Sequence, residues 1–93
     1  MYKFEWDEKK AEKNLLKHSI SFEEASSVFF DDFARTFADI VHSNGELREI
    51  IFGYSNNNRL LIVSFTQRSD FIRIISARKV TKNERKLYEE YYK

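Results

Sequence analysis

The chain has 93 residues, of which 42% are hydrophobic and 16% aromatic; this suffices for one packed core and excludes a disordered chain. The net charge is +1, there is no cysteine, and the two histidines lie far apart in sequence, which excludes disulfides and thiolate-ligated metals and argues against a zinc site. No apolar run approaches the ~20 residues of a membrane helix, and the start, MYKFEWDEKK, lacks a signal-peptide core, so one domain over residues 1–93, in the cytoplasm, is expected.

YKFEW (2–6) alternates and predicts a short strand. Asp7 suits the N-cap of a helix near 8–18, with Ala11 and Leu15 on its buried face and Leu16 at the flank. Ser21 and Glu24 make a capping-box pattern for a second helix near 22–30, whose inward stripe is Phe22, Ala25 and Phe29. Strands are predicted over 34–40, 48–55, 59–67 and 71–79, separated by the turn signals HSNGE, NNN and RSD. The third of these, RLLIVSFTQ, is apolar on both parities, as a central strand covered on both faces would be. Thr81 and Glu84 form a second capping box, opening a helix with Glu84, Leu87, Tyr88 and Tyr91 on one face. The order is β-α-α-β-β-β-β-α. Short turns between the last four strands predict an antiparallel sheet covered by helices, an α+β domain.

Charge is unevenly placed. Residues 1–46 carry six basic and ten acidic side chains, a net −4; residues 47–93 carry ten and five, a net +5, with six of the seven arginines. A basic half suits a polyanion or an acidic protein partner. In the last strand, FIRIISARK, Arg73 and Arg78 have opposite parity, so a regular strand would point them to opposite faces and a bulge would alter that. Arg48 and Arg59 begin neighbouring strands. Guanidinium groups beside the Ser76 hydroxyl would make a phosphate site through bidentate contacts; ion pairing with Glu49, Asp70 or helix carboxylates is the structural alternative. Lys10, Asn14 and His18 are spaced four apart and form a polar ridge on the first helix. His18, at the helix C-terminus, could transfer a proton near neutral pH. No Gly-rich phosphate loop, HExxH or G-x-S-x-G is present. Metal-free acid–base chemistry on RNA fits, because the 2′-OH of RNA supplies the nucleophile.

The segments W-D-x-x-K-A, N-x-x-K-H-x-I-x-F-E-E-A and R-I-I-S-A-R occur together and in order. In these the chain resembles, over nearly its whole length, the BrnT-type toxins of bacterial type II toxin–antitoxin systems. The resemblance implies a RelE-like fold, translation-inhibiting RNA cleavage, and neutralisation by a BrnA-like antitoxin in a hetero-oligomer that reaches DNA only through the antitoxin; with the missing metal motifs, no cofactor is expected. The matching positions with useful chemistry are Lys10, His18, Arg73, Ser76 and Arg78. The expected site is therefore His18, Arg73, Ser76 and Arg78 for catalysis, with Lys10, Lys17, Arg48, Arg59 and Lys79 along the RNA backbone. Tyr88 and Tyr92 are expected to be exposed anchors for the antitoxin. The competing reading is a non-catalytic module that uses the same basic surface to bind antitoxin or nucleic acid.

Overall fold

A computed structural model describes residues 2–91. The chain opens with β1 (Lys3–Glu5) and α1 (Glu8–His18). Asp7 caps α1 by accepting from the backbone N–H groups of Lys9 (2.9 Å) and Lys10 (3.1 Å), and the Lys10 N–H holds its carboxyl below the usual range. Ser19, in the left-handed region at φ 59°, ends the helix. α2 (Phe22–Ser27) continues into a 3₁₀ turn at Val28–Phe30. Ser21 Oγ accepts from Glu24 N–H at 3.0 Å. That is half of the predicted capping box; the Glu24 carboxylate is engaged elsewhere. Then come β2 (Arg35–Ala38), β3 (Glu49–Tyr54), β4 (Leu60–Arg68), β5 (Phe71–Lys79) and α3 (Lys82–Tyr91). The capping box of α3 closes fully: Glu84 N–H donates to Thr81 Oγ1 (3.2 Å) and Thr81 N–H to Glu84 Oε1 (2.8 Å).

The sheet order is β1-β5-β4-β3-β2. Strands β2 to β5 form the expected antiparallel meander, but β1 pairs with β5 in parallel. The sheet is mixed, because β1 reaches β5 as a distant segment rather than through a hairpin. β4 is central, and Leu60, Leu61, Ile62 and Val63 are all buried. The main core lies on one face, where Ile20, Phe22, Ala25 and Val28 pack on Ile51, Leu61, Val63, Phe65 and Ile74. Only glycine fits at position 53. A Cβ there would meet Val28 Cγ1 at 2.9 Å and Ala34 Cβ at 3.0 Å.

α1 is not held as its apolar pattern suggests. Leu15 and Leu16 are 51% and 87% exposed, and only Ala11 of the expected face packs against the core. The buried residue is Asn14, at 7% exposure. Its Nδ2 donates to Ala77 O (2.8 Å) and Ile20 O (3.0 Å), and its Oδ1 accepts from Ala77 N–H (3.0 Å). β1 pairs only with residues 71–73 of β5. One amide thus takes the place of a strand beside Ala77, where the backbone would otherwise be buried without partners. The Lys10–Asn14–His18 ridge turns toward the sheet edge at its middle instead of facing solvent. Asn14→Ala should cost about 2–4 kcal/mol in urea unfolding, because it orphans two buried groups of Ala77.

α3 lies on the opposite face of the sheet from α1 and α2. The Tyr88 ring meets Tyr54 (centroids 6.1 Å), and Glu84 meets Arg78.

Candidate active site

The pairing of β4 with β5 contains a register shift. Ser64 opposes Ser76, but Phe65 opposes Ile74, so Ile75 is an extra residue, a β-bulge. Residues opposite one another share a face. Beyond the bulge Thr66 opposes Arg73, and before it Ile62 opposes Arg78. Ile62, Ser64 and Thr66 alternate on β4, so Arg73, Ser76 and Arg78 all project from one face. Simple parity placed the two arginines on opposite faces; the single inserted residue reverses this. The shared face is the one away from α1 and α2, while Ile72, Ile74 and Ala77 point into the core. Ser76 and Ser64 stand between the two arginines, half-buried, and neither hydroxyl makes a hydrogen bond to protein among the described residues.

Each arginine has a carboxylate partner. Arg73 Nη1 donates to Glu5 Oε2 at 2.6 Å, from the neighbouring position on β1. Arg78 forms a two-pronged pair with Glu84, at 2.8 and 2.9 Å. That pairing drives the Glu84 carboxyl down to about 2, so Glu84 is an anion at any physiological pH and no proton donor. At the far end of the same face, Arg68 binds Glu46 at 3.0 and 3.2 Å and holds its carboxyl below the usual range. The face therefore carries fixed arginine forks, each occupied by a carboxylate, around two serine hydroxyls.

The other expected residues are dispersed. Arg59 belongs to the opposite layer: its Nε donates to Glu24 Oε2 (2.8 Å), a second guanidinium N–H reaches Glu24 Oε1, and Nη2 also donates to Ser19 O (3.1 Å). Ser55 Oγ donates to the same Glu24 at 2.7 Å. Arg59 is thus the partner of a buried carboxylate and does not join the arginine face. Arg48 is half-buried ahead of β3, and its backbone ties the preceding loop to Ser43 and Asp39. His18 is the half-buried last residue of α1, one turn past Asn14, on the helix that packs against the other face of the sheet; it makes no hydrogen bond to Arg73, Ser76 or Arg78. Lys10, Lys17 and Lys79 are exposed, but two are on α1 and Lys79 has the parity opposite to Arg78. Tyr88 is half-buried against Tyr54, and among the described residues of α3 the large hydrophobic that is exposed is Leu87. Tyr92 lies outside the described residues.

Two comparisons match this architecture. The crystal structure at 1.1 Å resolution of the ribonuclease toxin BrnT from Brucella abortus superposes with a TM-score of 0.67, over 88% of this chain and 100% of that one, at 22% identity. A comparison with curated proteins matches none of them. The family described as "Ribonuclease toxin, BrnT, of type II toxin-antitoxin system" matches residues 6–84. The chain belongs to the BrnT family. BrnT proteins are ribonuclease toxins of type II systems, which implies an RNA target and an antitoxin partner. The fold is that of the Brucella BrnT: an α+β arrangement of five strands and three helices. No helix among the described residues is long and apolar enough to cross a membrane.

The matched span includes β5 with Arg73, Ser76 and Arg78, and ends at Glu84. Sequence reasoning missed Glu5, Ser64 and Thr66, which share the arginine face of this BrnT chain. The period-2 pattern of β4 held the signal for Ser64 and Thr66, since both alternate with the core residues Val63 and Phe65. Glu5 carried no such signal, because its position depends on the parallel pairing of β1 with β5.

Proposed function

We propose that this BrnT-family chain is a metal-independent endoribonuclease of the RelE-like kind, and that its active surface is the bulged face of β5. The observation that carries this is the convergence of Arg73, Ser76 and Arg78 on one face. RNA cleavage of this type has the 2′-OH attack the adjacent phosphorus while the 5′-oxygen leaves. The protein must stabilise charge on the phosphoryl oxygens and move one proton off the 2′-OH and one onto the leaving oxygen. Two guanidinium forks flanking a hydroxyl are suited to the first task. A substrate phosphate would compete with Glu5 for the fork of Arg73. The displaced carboxylate would then stand beside the ribose, where it could accept the 2′-OH proton, while solvent water on this open face protonates the departing 5′-oxygen. Glu5 takes this role in place of His18, because it shares the arginine face and His18 does not. Glu84 serves to orient Arg78, as an anion that cannot exchange protons near neutral pH.

In the cell the toxin would inhibit translation in the cytoplasm until a BrnA-like antitoxin, carrying the contacts to DNA, sequesters it in a hetero-oligomer. Induced expression of the wild type should arrest growth and degrade RNA. The purified protein should cut an oligoribonucleotide equally well with excess EDTA, and Glu5→Gln should lower the cleavage rate by about 10²–10⁴. RNA binding with a steep salt slope but no cleavage would mark a non-catalytic module instead. Cleavage abolished by EDTA would remove the metal-independent mechanism.

A further inference from the structure

The arginine face does not end at β5. Arg78 opposes Ile62 on β4, Ile62 opposes Phe52 on β3, and Phe52 opposes Arg35 on β2. These four side chains form one row across the sheet, on one face, with an arginine at each end. Three strand spacings put the two arginine backbones roughly 14 Å apart. The next row is Ser76, Ser64, Ile50 and Phe37. Where these rows reach the edge of the sheet, α3 and β2 enclose a groove of about 300 Å³, lined by Arg35, Phe37, Phe52, Leu87 and Tyr88. Three of these five are aromatic, and the rings of Phe37 and Phe52 meet edge to face at 6.0 Å.

We infer that this groove seats a nucleobase of the RNA, from a nucleotide flanking the phosphate held at Arg78. The inference rests on the ribonuclease reading above and adds a substrate subsite to it. Every nucleobase has a π-face, so aromatic walls bind bases without needing a particular sequence. Arg35 lines the groove at the far end of the row from Arg78, in the direction an RNA strand crossing from Arg78 would run. The size of the groove agrees: about 300 Å³ is the low end for small-molecule sites and admits one planar ring.

The test uses an oligoribonucleotide that the wild type cuts, and versions with a single abasic ribose at each position flanking the cut. Phe37 is 49% exposed on an edge strand, so its replacement should leave the fold intact. Phe37→Ser should lower kcat/KM about tenfold, and Phe37→Trp should retain activity. One abasic position should lower wild-type cleavage by a similar factor, and on that substrate Phe37→Ser should have no further effect. Additive losses would overturn the subsite. So would a Phe37→Ser variant that cuts RNA normally, including one that has lost affinity for antitoxin, which would make the groove a protein surface. A wild type that cuts no RNA would overturn the ribonuclease reading itself, a separate outcome from an active wild type with a silent Phe37→Ser.

Discussion

Arg78→Ala is expected to lower kcat/KM for RNA cleavage by a hundredfold or more and to relieve growth arrest in cells. Removing one preorganised donor to an oxyanion typically costs 10²–10³ in rate, and a two-pronged guanidinium supplies two such donors. Arg73→Ala should behave similarly. Arg78→Lys should recover only part of the loss, because an ammonium keeps the charge but not the fork. The structure also offers a purely structural account, since Arg78 holds Glu84 at the start of α3. Glu84→Gln separates the two. If Arg78 serves only to anchor α3, breaking the pair from either side should do similar harm. If Arg78 binds phosphate, Glu84→Gln loosens the alignment of the guanidinium but leaves it in place, and should cost cleavage far less than Arg78→Ala. A folded Arg78→Ala variant that cuts RNA at the wild-type rate would move the active site elsewhere. Thermal melts of each variant identify any loss that comes from unfolding.

Arg59→Ala is expected to be the most destabilising single change to a charged residue, with folded molecules still cutting RNA normally. Glu24 is 5% exposed, and Arg59 supplies most of its hydrogen bonds. Stranding a buried carboxylate costs 3–5 kcal/mol in well-buried pairs. Arg59 is itself 30% exposed, and water can replace part of what it supplies, so about 2–4 kcal/mol is expected. For a domain of this size that is a fall in Tm on the order of 10–20 °C. The pH dependence gives a further check. Hydrogen bonding from Arg59 pulls the Glu24 carboxyl below its usual value of 4.5. A depressed folded value contributes stability above pH 4.5, and that contribution is lost as pH falls through the folded value. Arg59→Ala removes the largest cause of that depression while burial still opposes the charge, so the carboxyl rises relative to the wild type and the variant relieves part of its cost by protonating. The gap between wild type and variant should therefore narrow from pH 7 toward pH 4 in urea unfolding. A gap that is constant with pH would mean that Arg59 acts through packing rather than charge.

The arginines of this sequence divide between the two faces of the sheet. Arg59 makes the structural ion pair, although sequence placed it among the phosphate cations. Nothing in residues 19–24 announces that Glu24 will be buried, because its neighbours Ser21 and Phe22 make it look like an ordinary capping-box glutamate. The capping box at Thr81–Glu84, by contrast, was legible and correct, yet its glutamate has a second use in aligning Arg78 that only the approach of α3 to β5 creates. Asn14 shows the same limit. Its spacing from Lys10 and His18 suggested a solvated ridge, and it became the bridge between α1 and the backbone of β5.

The sequence by itself determined the element order, the helix caps and the central place of β4. Those depend on local periodicity and on side chains that bond their own neighbouring backbone, all within a few residues. Only the tertiary structure decided which arginines share a face. Strand pairing has to absorb Ile75 as a bulge before Arg73, Ser76 and Arg78 can share a face, and a residue is left over only when β4 is laid against β5. The same is true of the carboxylates that hold the arginines, since Glu5 meets Arg73 across a sequence distance that no local pattern spans.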